Sequence, residues 1–116
     1  MAGVADVVQR QFDAYNDHDL ERFLATFHDD VKSYRMPAVE PSIVGKPALR
    51  EFYATQRFNK PALKAELLHR IVLGNKVLDH ERITGLTEKP LEMLAVFEVT
   101  DLDRGGLIQT TWFFSA

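Results

Sequence analysis

A chain of 116 residues, 46% hydrophobic and 27% charged, suits one compact domain with a sizeable core and leaves no room for a second. Its formal net charge of −3 and pI near 5.8 lack the basic footprint that nucleic acid or an anionic membrane surface selects. Cysteine is absent, which excludes a disulfide framework and a thiolate metal site. No segment approaches the ~20 apolar residues needed to span a bilayer, and "MAGVADVVQR" has no basic stretch leading into an apolar run. The expectation is a soluble, cytoplasmic protein without metal or cofactor.

Val4, Val7, Val8, Phe12 and Tyr15 recur at three- and four-residue intervals, which places them on one face of a helix starting near Ala2. The run Asn16-Asp17-His18-Asp19 interrupts it. Asp19 can cap a second helix whose apolar face is Leu20, Phe23, Leu24 and Phe27. His18 and His28, in polar stretches, are expected at the surface. A short strand follows over Val31–Arg35, and the two prolines of "MPAVEPSIVG" predict an extended loop. Pro47 fits the first turn of a third helix that continues through Leu49, Phe52, Tyr53 and Gln56.

From Lys64 the texture becomes that of four antiparallel strands, Lys64–Leu73, Lys76–Gly85, Leu91–Asp101 and Leu107–Ser115. Gly74-Asn75 and Asp103-Arg104-Gly105-Gly106 supply tight turns between them, and "LTEKP" a looser link. Helices first and a meander second predict an α+β fold with helices on one face of the sheet. In "LEMLAVFEVT" and "QTTWFF" both alternating sets are largely apolar, so the face away from the helices needs cover. A homodimer through that outer face is the expected answer, against the alternative of a sheet curled onto itself.

The hairpin "HRIVLGNKVLDHERITG" mixes charges with core residues. A two-residue turn at Gly74-Asn75 pairs Val72 with Val77, Arg70 with Asp79 and Leu68 with Glu81. Arg70, Asp79 and Glu81 then share one face, and His69 and His80 lie opposite each other on the other. Counting back from the last turn pairs Glu98 with Thr111, Val96 with Phe113 and Phe97 with Trp112. If the acidic faces of the two hairpins coincide, Arg70, Asp79, Glu81 and Glu98 line one concavity. An arginine holds one carboxylate ionised while burial raises the pKa of another, which separates acid from base at one pH. A solvated cross-strand pair would contribute only ~0.2–1 kcal/mol. Burying such charges costs several kcal/mol unless they are well paired. Two histidines are too few for a closed metal site.

The run "QFDAYNDHDLERFLATFHDDV", then "IVGKPALREFY", then the meander ending "GGLIQTTWFF", resembles the nuclear transport factor 2-like superfamily, in particular its SnoaL-like and ketosteroid-isomerase-like branch. The resemblance covers nearly the whole chain as a single domain. It implies a cone-shaped α+β fold in which a strongly curved, mainly antiparallel sheet wraps three helices, with a pocket at the wide end and dimers through the outer sheet face. In ketosteroid isomerases an aspartate base and an oxyanion hole of tyrosine plus protonated aspartate carry the reaction. By gapless local match the base position falls on Arg35, the oxyanion tyrosine on Gln11, the protonated acid on Glu98 and a supporting tyrosine on Tyr53. Without the base, steroid isomerisation is not expected. Limonene-type epoxide hydrolases of the superfamily use a carboxylate–arginine–carboxylate group that Arg70 with Asp79, Glu81 or Glu98 could imitate by chemical analogy.

The expected function is binding of a small, partly apolar organic molecule, with acid–base chemistry of isomerase, cyclase or epoxide-hydrolase type. Asp79, Glu81 and Glu98 are the expected catalytic acids. Arg35, Tyr53, Arg70, Tyr15 and Phe113 are the expected ligand contacts. The alternative is a dimeric binding or interaction module without catalysis.

Overall fold

A computed structural model describes residues 3–116 of the chain. Its elements in order are helices α1 (Val4–Asn16) and α2 (Leu20–Leu24), strands β1 (Phe27–Arg35) and β2 (Ile43–Val44), helix α3 (Lys46–Gln56), and strands β3 (Lys64–Leu73), β4 (Lys76–Thr84), β5 (Leu91–Thr100) and β6 (Leu107–Ser115). A helix start at Ala2 lies outside the described residues. From Gly3 onward, the Asp6 carboxylate accepts a hydrogen bond from the Gly3 amide at 2.7 Å and closes the first turn of α1. Asp19 caps α2 by accepting from the Arg22 amide at 3.1 Å. Pro47 sits in the first turn of α3, where its missing N–H costs nothing.

The six strands form one curved, open, mixed sheet in the order β2-β1-β6-β5-β4-β3. The four-strand meander matches the sequence expectation, with β3 and β6 at the expected bounds. Three features depart from it. Strand β1 starts at Phe27 rather than Val31, so Phe27 belongs to the sheet and not to α2. The proline loop holds the two-residue strand β2, which pairs antiparallel to β1. Strand β1 also runs parallel to β6, a pairing between the first and last strands of the chain. None of the described helices is long and apolar enough to cross a membrane.

The helices fill the concave side of the sheet. Phe23 of α2 lies at the centre, with ring centroids 4.5 Å from Tyr53, 4.9 Å from Phe27, 5.2 Å from Phe58 and 6.2 Å from Tyr15. Tilted and edge-on aromatic pairs of this kind contribute beyond their buried area. Asn16 fastens the end of α1 to β3, donating to the Ala65 carbonyl at 3.0 Å and accepting from the Ala65 amide at 2.7 Å. His18, expected at the surface, is half-buried: its ring nitrogen hydrogen-bonds the Leu63 carbonyl at 2.7 Å and its ring stacks on Phe58. These contacts fix where the side chains of α1 and α3 face the sheet.

Candidate functional site

The register of β3 and β4 follows from the turn at Gly74-Asn75. Val72 lies opposite Val77 and Arg70 opposite Asp79, as the turn length dictates. A bulge between Leu67 and His69 then brings Leu67, rather than Leu68, opposite Glu81. Along β4 the burial alternates, with Val77, Asp79, Glu81 and Ile83 turned inward. His69 and His80 lie opposite each other on the outer face, their rings stacked at 5.7 Å.

Asp79 is fully buried and wholly engaged. Arg70 Nε donates to Asp79 Oδ1 at 2.7 Å and the guanidinium's second nitrogen donates to Oδ2 at 2.9 Å. The third nitrogen of Arg70 reaches Gln9 Oε1 of α1 at 2.7 Å. Such a bidentate, charge-assisted pair offsets the cost of burial. It also ties α1 to the sheet. The Asp79 hydrogen bonds raise the Arg70 pKa further, so this cation persists at any working pH.

Glu81, two residues along the same face, has no such partner. It is 8% exposed and makes no side-chain hydrogen bond or ion pair within the described residues. Burial pushes its carboxyl up from 4.5 to about 8; the Asp79 charge adds to the rise and Arg70 opposes it. Glu81 therefore carries its proton at neutral pH.

This carboxyl opens onto a cavity of about 130 Å³ between α1, α3 and the sheet. Phe12, Phe97, Phe113 and Met93 form much of its apolar wall, and Gln11, Tyr15, Tyr53, Arg35, Arg57 and Glu81 bring polar groups to it. Burial raises the Tyr15 and Tyr53 pKa values, to about 12 for Tyr53 and higher still for Tyr15, where the Tyr53 and Glu81 charges add to the rise. Both phenols are neutral donors at physiological pH. Gln11 Oε1 is buried without a hydrogen-bond partner among the described residues.

Of the eight expected site residues, Glu81, Tyr15, Tyr53, Arg35 and Phe113 line the cavity, and three do not. Asp79 and Arg70 share the face of Glu81 but are spent on each other behind the wall. Glu98 is on the opposite face of the sheet, 3.6 Å from Lys76 Nζ and accepting from the Thr110 hydroxyl at 3.1 Å. The β4–β5 register, which sets the face of Glu98 relative to Asp79 and Glu81, explains the error, and the β5–β6 register is one residue from the expected one. Glu98 pairs with Thr110, Phe97 with Thr111, Val96 with Trp112 and Ala95 with Phe113, and a bulge falls between Glu98 and Val99. Across from β4, Glu98 meets Lys76, whereas Asp79 and Glu81 meet Ala95 and Met93. The carboxylate–arginine–carboxylate group therefore does not assemble around Glu98. Arg57, just beyond α3, and Gln11 were not singled out as site residues; Gln11 nonetheless fell on the oxyanion position of the local match.

Solved structures with this fold come from several bacteria. An uncharacterised cystatin-fold protein of Novosphingobium aromaticivorans superposes with a TM-score of 0.82 at 21% identity, covering 97% of either chain. A Kribbella flavida protein provisionally described as a ketosteroid isomerase gives 0.81 at 19% identity over 97% of this chain and 77% of that one. A Sinorhizobium meliloti protein provisionally described as a polyketide cyclase gives 0.77 at 24%, covering 93% of each. No curated protein matches the sequence. The SnoaL-like domain model matches residues 8–109, nearly the full length. The chain thus belongs to the SnoaL-like domain family of the nuclear transport factor 2-like superfamily.

Proposed function

We propose that the cavity binds a small, partly apolar organic molecule and that Glu81 exchanges a proton with it. One observation carries this reading: a buried carboxyl with no ion partner among the described residues, facing an aromatic-lined cavity, two residues from a carboxylate whose charge arginine already matches. A carboxyl near pKa 8 is matched to work near neutral pH. Glu81 would donate its proton to an oxygen on which charge develops and recover one as product forms. The Tyr15 and Tyr53 hydroxyls would steady the same oxygen.

One working carboxyl suits isomerisation or cyclisation, in which a proton leaves one atom of the substrate and returns to another. Epoxide hydrolysis calls for a second carboxylate to activate water. Asp79 is consumed by Arg70, and Glu98 faces away. The absence of that second acid favours, as a second reading, a binding module without turnover. A panel of apolar hydroxyl, carbonyl and epoxide compounds, scored by ligand-induced melting shifts and then by conversion, separates the two. We expect conversion of a binder to fall at least ~10²-fold in Glu81→Gln with binding kept. Binding without conversion by either protein would leave the module.

We also propose a homodimer through the outer sheet face. Leu78, Leu94, Val96 and Trp112 lie there, half-buried, beside Phe114, which is 41% exposed. Contiguous apolar patches of this kind mark interfaces. Sedimentation should give a dimer that Val96→Glu splits; a monomeric wild type would refute it.

A further inference from the structure

Four of the eight arginines are matched to acids, Arg22 to Asp17, Arg50 to Glu21, Arg70 to Asp79 and Arg82 to Glu66, while Arg10 and Arg104 are exposed at the surface with no acid partner among the described residues. Arg35 and Arg57 are matched to none among the described residues, and both line the cavity. They sit over the same ring, their guanidinium carbons 5.4 and 4.8 Å from the Phe52 centroid. Each cation–π contact holds a guanidinium at the Phe52 ring while N–H groups remain to donate. The Arg57 edge spends one donor on the Gln56 carbonyl at 2.8 Å.

Two like charges on one aromatic ring repel each other, less so where solvent reaches the exposed Arg35, and an anion bound between them would relieve that repulsion. The one acid lining the cavity does not supply that anion, because Glu81 holds its proton at neutral pH. Both arginines act on the Tyr53 hydroxyl, so this neutral donor lies in the same positive field. A second observation points to a ligand independently. Gln11 is 8% exposed, lines the cavity, and leaves its Oε1 without a donor. Buried acceptors are rarely left unpaired, so this atom marks the cavity as a ligand site; it does not bear on the ligand's charge, because a carboxylate brings no donor to it.

We propose that the cavity selects an amphipathic monocarboxylate, its carboxylate held by the free edges of Arg35 and Arg57 and its apolar body packed against Phe12, Phe113 and Met93. The proposal rests on the reading of the cavity as a ligand site, and adds the charge of the ligand. Guanidinium–carboxylate bonds are charge-assisted and roughly twice as strong as neutral ones. A preference for the ion over its neutral isostere is therefore the direct consequence.

The test compares hydrocinnamate, hydrocinnamamide and the corresponding alcohol by calorimetry near neutral pH. The carboxylate should bind about tenfold or more tightly than the amide, and added salt should weaken the carboxylate alone. Arg35→Met and Arg57→Met, checked for folding by circular dichroism, should shrink the preference while leaving amide affinity within about twofold. The wild-type salt dependence decides the matter even if a variant fails to fold. Equal binding of the three, or a preference that survives both substitutions, overturns the charge assignment and leaves the cavity reading standing. Failure of all three to bind overturns both.

Discussion

Replacing Glu81 by Gln should change how the stability of this protein depends on pH. The folded carboxyl keeps its proton to about pH 8, whereas in the unfolded chain the same group titrates at its ordinary 4.5. Below pH 4.5 both states hold the proton and the carboxyl is indifferent. Between the two values the unfolded chain releases a proton that the folded protein retains, so stability falls as pH rises, by about 1.4 kcal/mol per unit. Across the window this amounts to roughly 5 kcal/mol, after which the curve flattens. Domains of this size are stable by about 5–15 kcal/mol, so the effect is a large part of the whole. Gln has the shape of protonated Glu and cannot ionise. Glu81→Gln should therefore match wild type within about 1 kcal/mol at pH 5 and exceed it by several kcal/mol at pH 9. Urea unfolding at unit pH intervals, read as the difference between the two proteins, cancels the four histidines that titrate in the same range. Parallel curves would show that Glu81 ionises normally, and the proton-transfer role would fall with it.

Other changes test the supporting structure. Asp79→Asn leaves the Arg70 guanidinium buried against a neutral amide, and should cost about 3–5 kcal/mol in urea unfolding. The same change removes the charge that helps raise Glu81, so the pH at which Glu81 ionises should drop in carboxyl-resolved NMR; an unmoved titration would refute the coupling. Glu98→Gln, on the outer face, should alter ligand affinity by less than about twofold and stability by less than about 1 kcal/mol. A large loss of binding would contradict its placement beside Lys76 and Thr110. Gly85 has φ +77° and a Cβ there would overlap the Ala62 carbonyl. Gly85→Ala should cost about 2 kcal/mol or more, measured by thermal unfolding, because backbone rather than a pliable side chain is in the way.

Hairpins with short turns were legible in the sequence because the turn counts the residues. Gly74-Asn75 allows one pairing for Arg70, and that pairing puts Arg70, Asp79 and Glu81 on one face, with His69 and His80 on the other. The helices were legible for a similar reason, since apolar spacing and the caps at Asp19 and Pro47 are local signals. Where the chain turns through Asp101 to Gly106, a 3₁₀ turn and the bulge at Glu98 break the count by one residue, and the loose link between β4 and β5 gives no count, so the face of Glu98 relative to Glu81 was not legible.

What the sequence by itself determined is therefore the order of the elements, the α+β class and the pairing next to the Gly74-Asn75 turn, all properties of neighbours along the chain. Only the tertiary structure decided how the hairpin faces meet. It joined β1 to β6, bringing Arg35 level with Phe113. It also gave Asp79 and Glu81 opposite fates. Both carboxyls face inward from one strand, but a single guanidinium reaches only the nearer, so Asp79 is neutralised by charge and Glu81 by a proton. The physical reason is desolvation: whether an acid stays charged depends on what packs around it in space, and spacing along the chain does not carry that information.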